Sequence, residues 1–148
     1  MNFVAIEKGS AGLVKRIAVL LISLALLIGC SDNNINRNNE LEEVIHSFII
    51  MVSDDSDSEI HISGFIDLDW DKAFLITPYT SQEEIEKQVG VKLKDLSNIS
   101  LRDDIYLLVF LNNDSVVQYA EINRLQTSFS LGDHEYLSPA NDVIYIER

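Results

Sequence analysis

Cysteine occurs once in the 148 residues, and this excludes an intramolecular disulfide, so the fold must rest on an apolar core. Basic residues are also scarce: 11 Lys and Arg stand against 24 Asp and Glu, a formal charge of −13. An acidic surface excludes the phosphate-tracking contacts that nucleic-acid binding requires. It also sets the body of the protein against anionic lipid headgroups. The negative excess provides solubility and leaves room for a basic protein partner or for cations. No apolar run reaches the ~20 residues needed to span a bilayer; the longest, Ile17–Ile28, has 12 and is broken only by Ser23. Sequence motifs for catalysis are missing too: there is no G-x-S-x-G, P-loop, G-x-G-x-x-G or H-E-x-x-H.

What is present begins at the N-terminus. Lys15 and Arg16 close a positively charged segment, the 12-residue apolar run follows, and the run ends in Leu27-Ile28-Gly29-Cys30. Charge, run length and a small residue at the end are the parts of a removable export signal, with the positive charges held on the cytoplasmic side. The last four residues resemble the lipobox of bacterial lipoproteins. The resemblance implies that the Cys30 thiol receives diacylglycerol, that cleavage falls between Gly29 and Cys30, and that the new N-terminus carries a further acyl chain such as palmitate. A thiolate suits thioether formation, and two or three acyl chains anchor stably where one does not. Thiol catalysis is then excluded, because the one cysteine is committed to lipid. Ser31 follows Cys30; in Gram-negative lipoproteins an Asp there favours inner-membrane retention, so outer-membrane sorting is permitted.

Three segments follow from this: a lipoprotein signal peptide over 1–29, an Asn-rich tether over 30–39 and an exported domain over 40–148. Removing 1–29 takes away Lys8, Lys15, Arg16 and Glu7, and the remaining 119 residues carry 8 basic and 23 acidic side chains, a charge of −15. Five asparagines between Ser31 and Asn39 favour a solvated chain, with a root-mean-square reach of roughly 15–20 Å.

Leu41, Val44, Ile45, Phe48 and Val52 fall at helical spacing, and Glu40, Glu42 and Glu43 suit the first turn, so a helix is expected over 40–52. Ser53–Glu59 is an acidic loop whose spacing fails the EF-hand template. Ile60 and Ile62, then Ile66, Leu68 and Trp70, alternate with polar residues, and Ala73–Thr77 is more continuously apolar. These runs predict a hairpin turning near Asp69–Lys72, ended by Pro78. Ser81 with Glu84, or Thr80 with Glu83, has capping-box spacing, and Gly90 supplies the stop for a helix over 81–89. Further strands are expected at 105–111, 116–122, 124–131 and 143–146, with turns at Asn112–Ser115 and Gly132–Glu135. Segregated strands without βαβ alternation predict a small single α+β domain with a mostly antiparallel sheet and two helices, preceded by the signal-peptide helix.

Trp70-Asp71-Lys72 followed by Pro78-Tyr79-Thr80 and a capped helix resembles a stretch of small bacterial lipoproteins to which no activity is attached, so no functional residue carries over. On the residues themselves, Trp70 is expected to anchor the core and Tyr79 to sit at a strand-to-helix corner where its hydroxyl could face a ligand. His46, His61 and His134 lie in different elements, and their spacing supports no zinc site. Asp133-His134-Glu135 reads as a polar turn. No catalytic residue, metal ligand or cofactor is assigned. The lipobox resemblance implies a membrane-anchored envelope protein, and the short tether, small size and missing catalytic motifs favour a non-enzymatic, protein-binding or inhibitory domain. The alternatives are a small envelope hydrolase using Asp, Glu or His, or a calcium-dependent binding module using the acids at 54–59 or 67–71.

Overall fold

A computed structural model describes residues 35–52 and 58–147, and Ile35 onward forms one folded unit. The expected signal peptide, the lipobox-like segment with Gly29 and Cys30, the first part of the expected tether and most of the 53–59 acidic loop lie outside the described residues. Within them the chain forms β1 (Asn36–Arg37), α1 (Asn39–Met51), β2 (Ser58–His61), β3 (Lys72–Ile76), α2 (Gln82–Val89), β4 (Ile105–Asn112), β5 (Ser115–Asn123), β6 (Ser128–Ser130) and β7 (Val143–Glu147). A four-stranded sheet runs β1-β5-β4-β3 and a three-stranded sheet runs β2-β7-β6. Every pairing is antiparallel except β1 on β5. The expected α+β class is therefore what forms. No helix among the described residues is long and apolar enough to cross a membrane.

β4 explains the architecture. Its continuous apolar run suits a strand buried on both faces. Tyr106, Leu108 and Phe110 join one core cluster, with Leu41, Ile45 and Ile49 of α1, Ala120 and Ile122 of β5, and the second sheet's Phe129, Ile144 and Ile146. Leu107, Val109 and Leu111 join the other, with Phe74 and Ile76 of β3, Ile85 and Val89 of α2, and Ile99. Each fully buried aliphatic side chain contributes about 1.5–3 kcal/mol from surface removed from water. The β4–β5 hairpin turns at Asn113 and Asp114, both with positive φ (50° and 57°), the conformation that a two-residue turn of this twist requires.

Both helices start on side-chain caps. Asn38 Oδ1 accepts from the Leu41 N–H at 2.9 Å. The capping box at α2 is the Ser81–Glu84 one; Thr80 instead donates its hydroxyl to the Thr77 carbonyl at 2.7 Å. Gly90 ends α2 in the left-handed region at φ 83°.

Three expectations are corrected. The hairpin over 60–77 does not form, because β2 pairs with β7 while β3 pairs with β4 in the other sheet. Between them a 3-10 turn at Ser63–Phe65 and an irregular stretch carry the chain across. Ile66 and Leu68 are half-buried and Trp70 buried, so the period-two pattern reports which side is covered, without any ladder partner. The segment from Asn36 is not tether: β1 pairs with Gln118 and Tyr119, and the Asn38 N–H donates to the Tyr119 carbonyl at 2.8 Å. The strand expected over 124–131 shrinks to Ser128–Ser130, because Leu125 and Gln126 turn through positive φ (44° and 64°).

Trp70-Asp71-Lys72 has a structural task. Trp70 meets Phe110 edge-on with ring centroids 5.6 Å apart. Asp71 Oδ2 accepts from the Asn113 N–H at 2.9 Å, and Lys72 Nζ donates to Asp114 at 3.1 Å, so the motif clamps the β4–β5 turn. At the Pro78 corner Tyr79 takes φ 62°, at the turn position usually given to Gly or Asn. Its N–H donates to the carbonyls of Ile99 and Arg102 (3.1 and 3.2 Å), and its ring is exposed.

Candidate functional site

β3 is the outer strand of its sheet, and β6 is an outer strand of the other. Beyond β3 the described residues supply a single bridge: the Ala73 N–H donates to the Leu137 carbonyl at 2.9 Å and the Leu137 N–H returns to the Ala73 carbonyl at 2.8 Å. Past that bridge the edge opens into a groove of about 670 Å³. Phe74, Leu75 and Thr77 line it from β3 and its end; Glu84, Lys87 and Gln88 from α2; Phe129, Ser130 and Leu131 from β6 and its end; and His134 and Glu135 from the following turn. Phe74, Leu75, Phe129 and Leu131 give it an apolar floor where the two core clusters reach the surface.

The local sequence builds this arrangement. Ile85 and Val89 dock α2 on the core, and Glu84, Lys87 and Gln88 then share the neighbouring face toward β3. Strand pleating sends the N–H and C=O of Ala73, Leu75 and Thr77 to the same edge. Gln88 Nε2 covers the Leu75 carbonyl with a long 3.5 Å hydrogen bond. The Thr77 carbonyl is taken by Thr80.

Two other clusters are spent on the fold. In one, Arg37 contacts Glu42 at 2.8 Å and Glu121 at 3.0 Å, while Arg102 contacts Asp104 at 2.6 Å and Glu121 at 3.2 Å. Glu42 also accepts from the Glu121 N–H at 2.7 Å, which ties α1 to β5. His46 and Arg37, Glu42, Arg102 and Glu121 of this network line one depression of about 570 Å³, distinct from the groove. In the other, Asp142 accepts from the Ser63 hydroxyl, from the Ser63 N–H at 2.9 Å and from His61 Nδ1 at 3.0 Å. Serine and histidine both address the carboxylate and not each other, so the cluster lacks the relay of a hydrolytic triad. Burial pushes the Asp142 carboxyl up, but the bonds from Ser63 and His61 outweigh it and hold it at about 2. The same His61–Asp142 bond raises the histidine above its ordinary 6.5 against a smaller desolvation effect.

The sign of each follows. Asp142 contributes stability that is fully present above the ordinary carboxylate range and is lost as pH falls through about 2. His61 contributes below 6.5 and ceases to as pH rises through its elevated value. An Asp142→Ala chain is expected to lose about 2 kcal/mol at neutral pH, as charged-acceptor bonds are removed. In an NMR titration of that variant the His61 midpoint returns toward 6.5; an unmoved midpoint would contradict the assigned bond.

The structure thus separates the three histidines: His46 on α1, His61 on Asp142 and His134 in the groove. Asp133-His134-Glu135 is an exposed turn, as expected, and two of its residues line the groove. Among the described residues no three His, Cys, Asp or Glu side chains come together as a metal site, and this includes the alternating Asp67, Asp69 and Asp71. No protein family, curated protein or solved structure matches the chain.

Proposed function

We propose that this chain is a lipid-anchored protein of the bacterial cell envelope whose folded unit binds a partner polypeptide. One observation carries the binding half of the reading: a groove with an apolar floor lies along a sheet edge that the described residues leave mostly unpaired. Pockets of this size with an apolar floor and a few polar groups at the rim are where proteins take ligands, and open strand edges are a recurrent mode of polypeptide recognition. The anchoring half rests on Lys15, Arg16, the apolar run and Leu27-Ile28-Gly29-Cys30. In this reading the leader is removed after Gly29, acyl chains on Cys30 hold the protein on the exported side of the cytoplasmic membrane or in the outer membrane, and residues up to Ile35 set the reach of the folded unit. The charge of −13 disfavours nucleic acid and favours a basic partner.

Site-specific photo-crosslinking in the native membrane tests the binding reading. A photoreactive residue at Gln88 or Glu135, on the groove, is expected to give a discrete crosslink to one polypeptide. The same probe at Glu59, on β2, is expected to give none. Indistinguishable crosslinking from all three positions would contradict the groove as the binding surface.

A further inference from the structure

We propose that the groove takes its partner by strand addition: an extended segment with alternating apolar and basic residues pairs with β3 opposite Leu75 and Thr77. This deepens the binding reading above and rests on it.

The backbone argues for the mode. Leu137 already occupies the first position of a strand beside β3, bonded in both directions to Ala73. An antiparallel neighbour continuing from Leu137 would set residue 135 opposite Leu75, but His134 and Glu135 instead turn into the wall of the groove. The His134 N–H is used at home, on the Leu131 carbonyl at 3.3 Å. Own-chain pairing therefore stops one step short of Leu75, whose N–H shares the edge of the bonded Ala73 pair. The Leu75 carbonyl carries only the 3.5 Å bond from Gln88, which an incoming N–H at the usual 2.9 Å would replace with a stronger one. The Thr77 N–H follows on the same edge.

The side chains argue for the occupant. An added strand presents alternate residues to the two sides of the sheet. Those facing inward meet Phe129 and Leu131, which favours apolar residues. The lining carries Glu135 and Glu84, the latter also holding the Ser81 cap, against Lys87, within a chain of net charge −13, so basic residues suit the outward positions. An acidic segment would meet repulsion both at the rim and over long range.

The test uses the full chain in detergent micelles and three capped octapeptides: alternating Val and Lys, the same peptide N-methylated at every residue, and alternating Val and Glu. The Val-Lys peptide is expected to bind about tenfold or more tightly than either other peptide. At saturation it is expected to slow hydrogen exchange at the Leu75 and Thr77 amides by about tenfold or more. Glu135→Lys, an exposed substitution, is expected to weaken that peptide by about threefold to fivefold. Equal binding by the N-methylated peptide, or unchanged exchange at both amides, would overturn strand addition while leaving the groove as a binding site. Equal binding of the Val-Glu peptide would overturn the basic occupant. Failure of all three to bind at about 1 mM would remove both this inference and the groove reading beneath it.

Discussion

Phe110→Ala is expected to cost about 3–5 kcal/mol, the range for deleting a fully buried aromatic ring. Phe110 is wholly buried in the middle of β4, opposite Ala73 on one side and Gln118 on the other. Ala73 is too small to fill the space, and β4 is fixed by ladders on both sides, so the sheet cannot collapse onto the gap. The Trp70 ring would also lose its edge-to-face partner at 5.6 Å, a contact worth about 0.5–1.5 kcal/mol beyond area burial. Domains of this size have only about 5–15 kcal/mol in hand, so a large fraction of the variant would be unfolded under mild denaturant. Urea unfolding followed by Trp70 fluorescence measures the effect. Leu101→Ala is the control, since Leu101 is 81% exposed and its loss is expected to stay within about 0.5 kcal/mol. Similar midpoints for the two variants would contradict the two-sided burial of β4.

The second large effect concerns Cys30. With serine there, no thioether forms, and the reading proposed above expects fatty-acid incorporation to fall to background. The leader would then be retained, because cleavage in the lipoprotein pattern follows lipid attachment. The variant is therefore expected to run as the uncleaved precursor, with residues 1–29 still attached and no labelled fatty acid. The folded unit should be unaffected, because Cys30 lies in sequence before its first residue, Ile35. The peptide tests of the groove can therefore be repeated on the variant, separating anchoring from binding. A Cys30→Ser chain that still acquired labelled fatty acid would contradict lipid attachment at the thiol.

What could be read from the residues alone depended on whether the signal was local. The β4 run, the asparagine turn after it, the Ser81–Glu84 cap and the Gly90 stop all act within a few residues of themselves, and each formed. The hairpin over 60–77 failed because alternation at Ile66, Leu68 and Trp70 is produced equally by a strand and by an irregular segment laid across a core. β1 was invisible because Asn36 and Arg37 have no apolar signature; they pair only because Gln118 and Tyr119 offer an edge. Asp142 and His61 are 81 positions apart, and only the β2–β7 register brings them together. The groove is assembled from residues 74–88 and 129–135, which have no shared motif. In the sequence it shows only as the polar turn at Asp133-His134-Glu135, which has no local link to β3. An unpaired edge is a property of sheet order, and sheet order is set by contacts distant in sequence.

The anchored, exported reading depends most directly on the chemical form of the N-terminus. Intact-mass and peptide mass spectrometry of the protein extracted from its native membrane would decide it. The account predicts that residues 1–29 are absent and that the first peptide begins at Cys30 carrying a diacylglyceryl thioether. A mature chain that keeps residues 1–29, or begins at Cys30 with a free thiol, would contradict it.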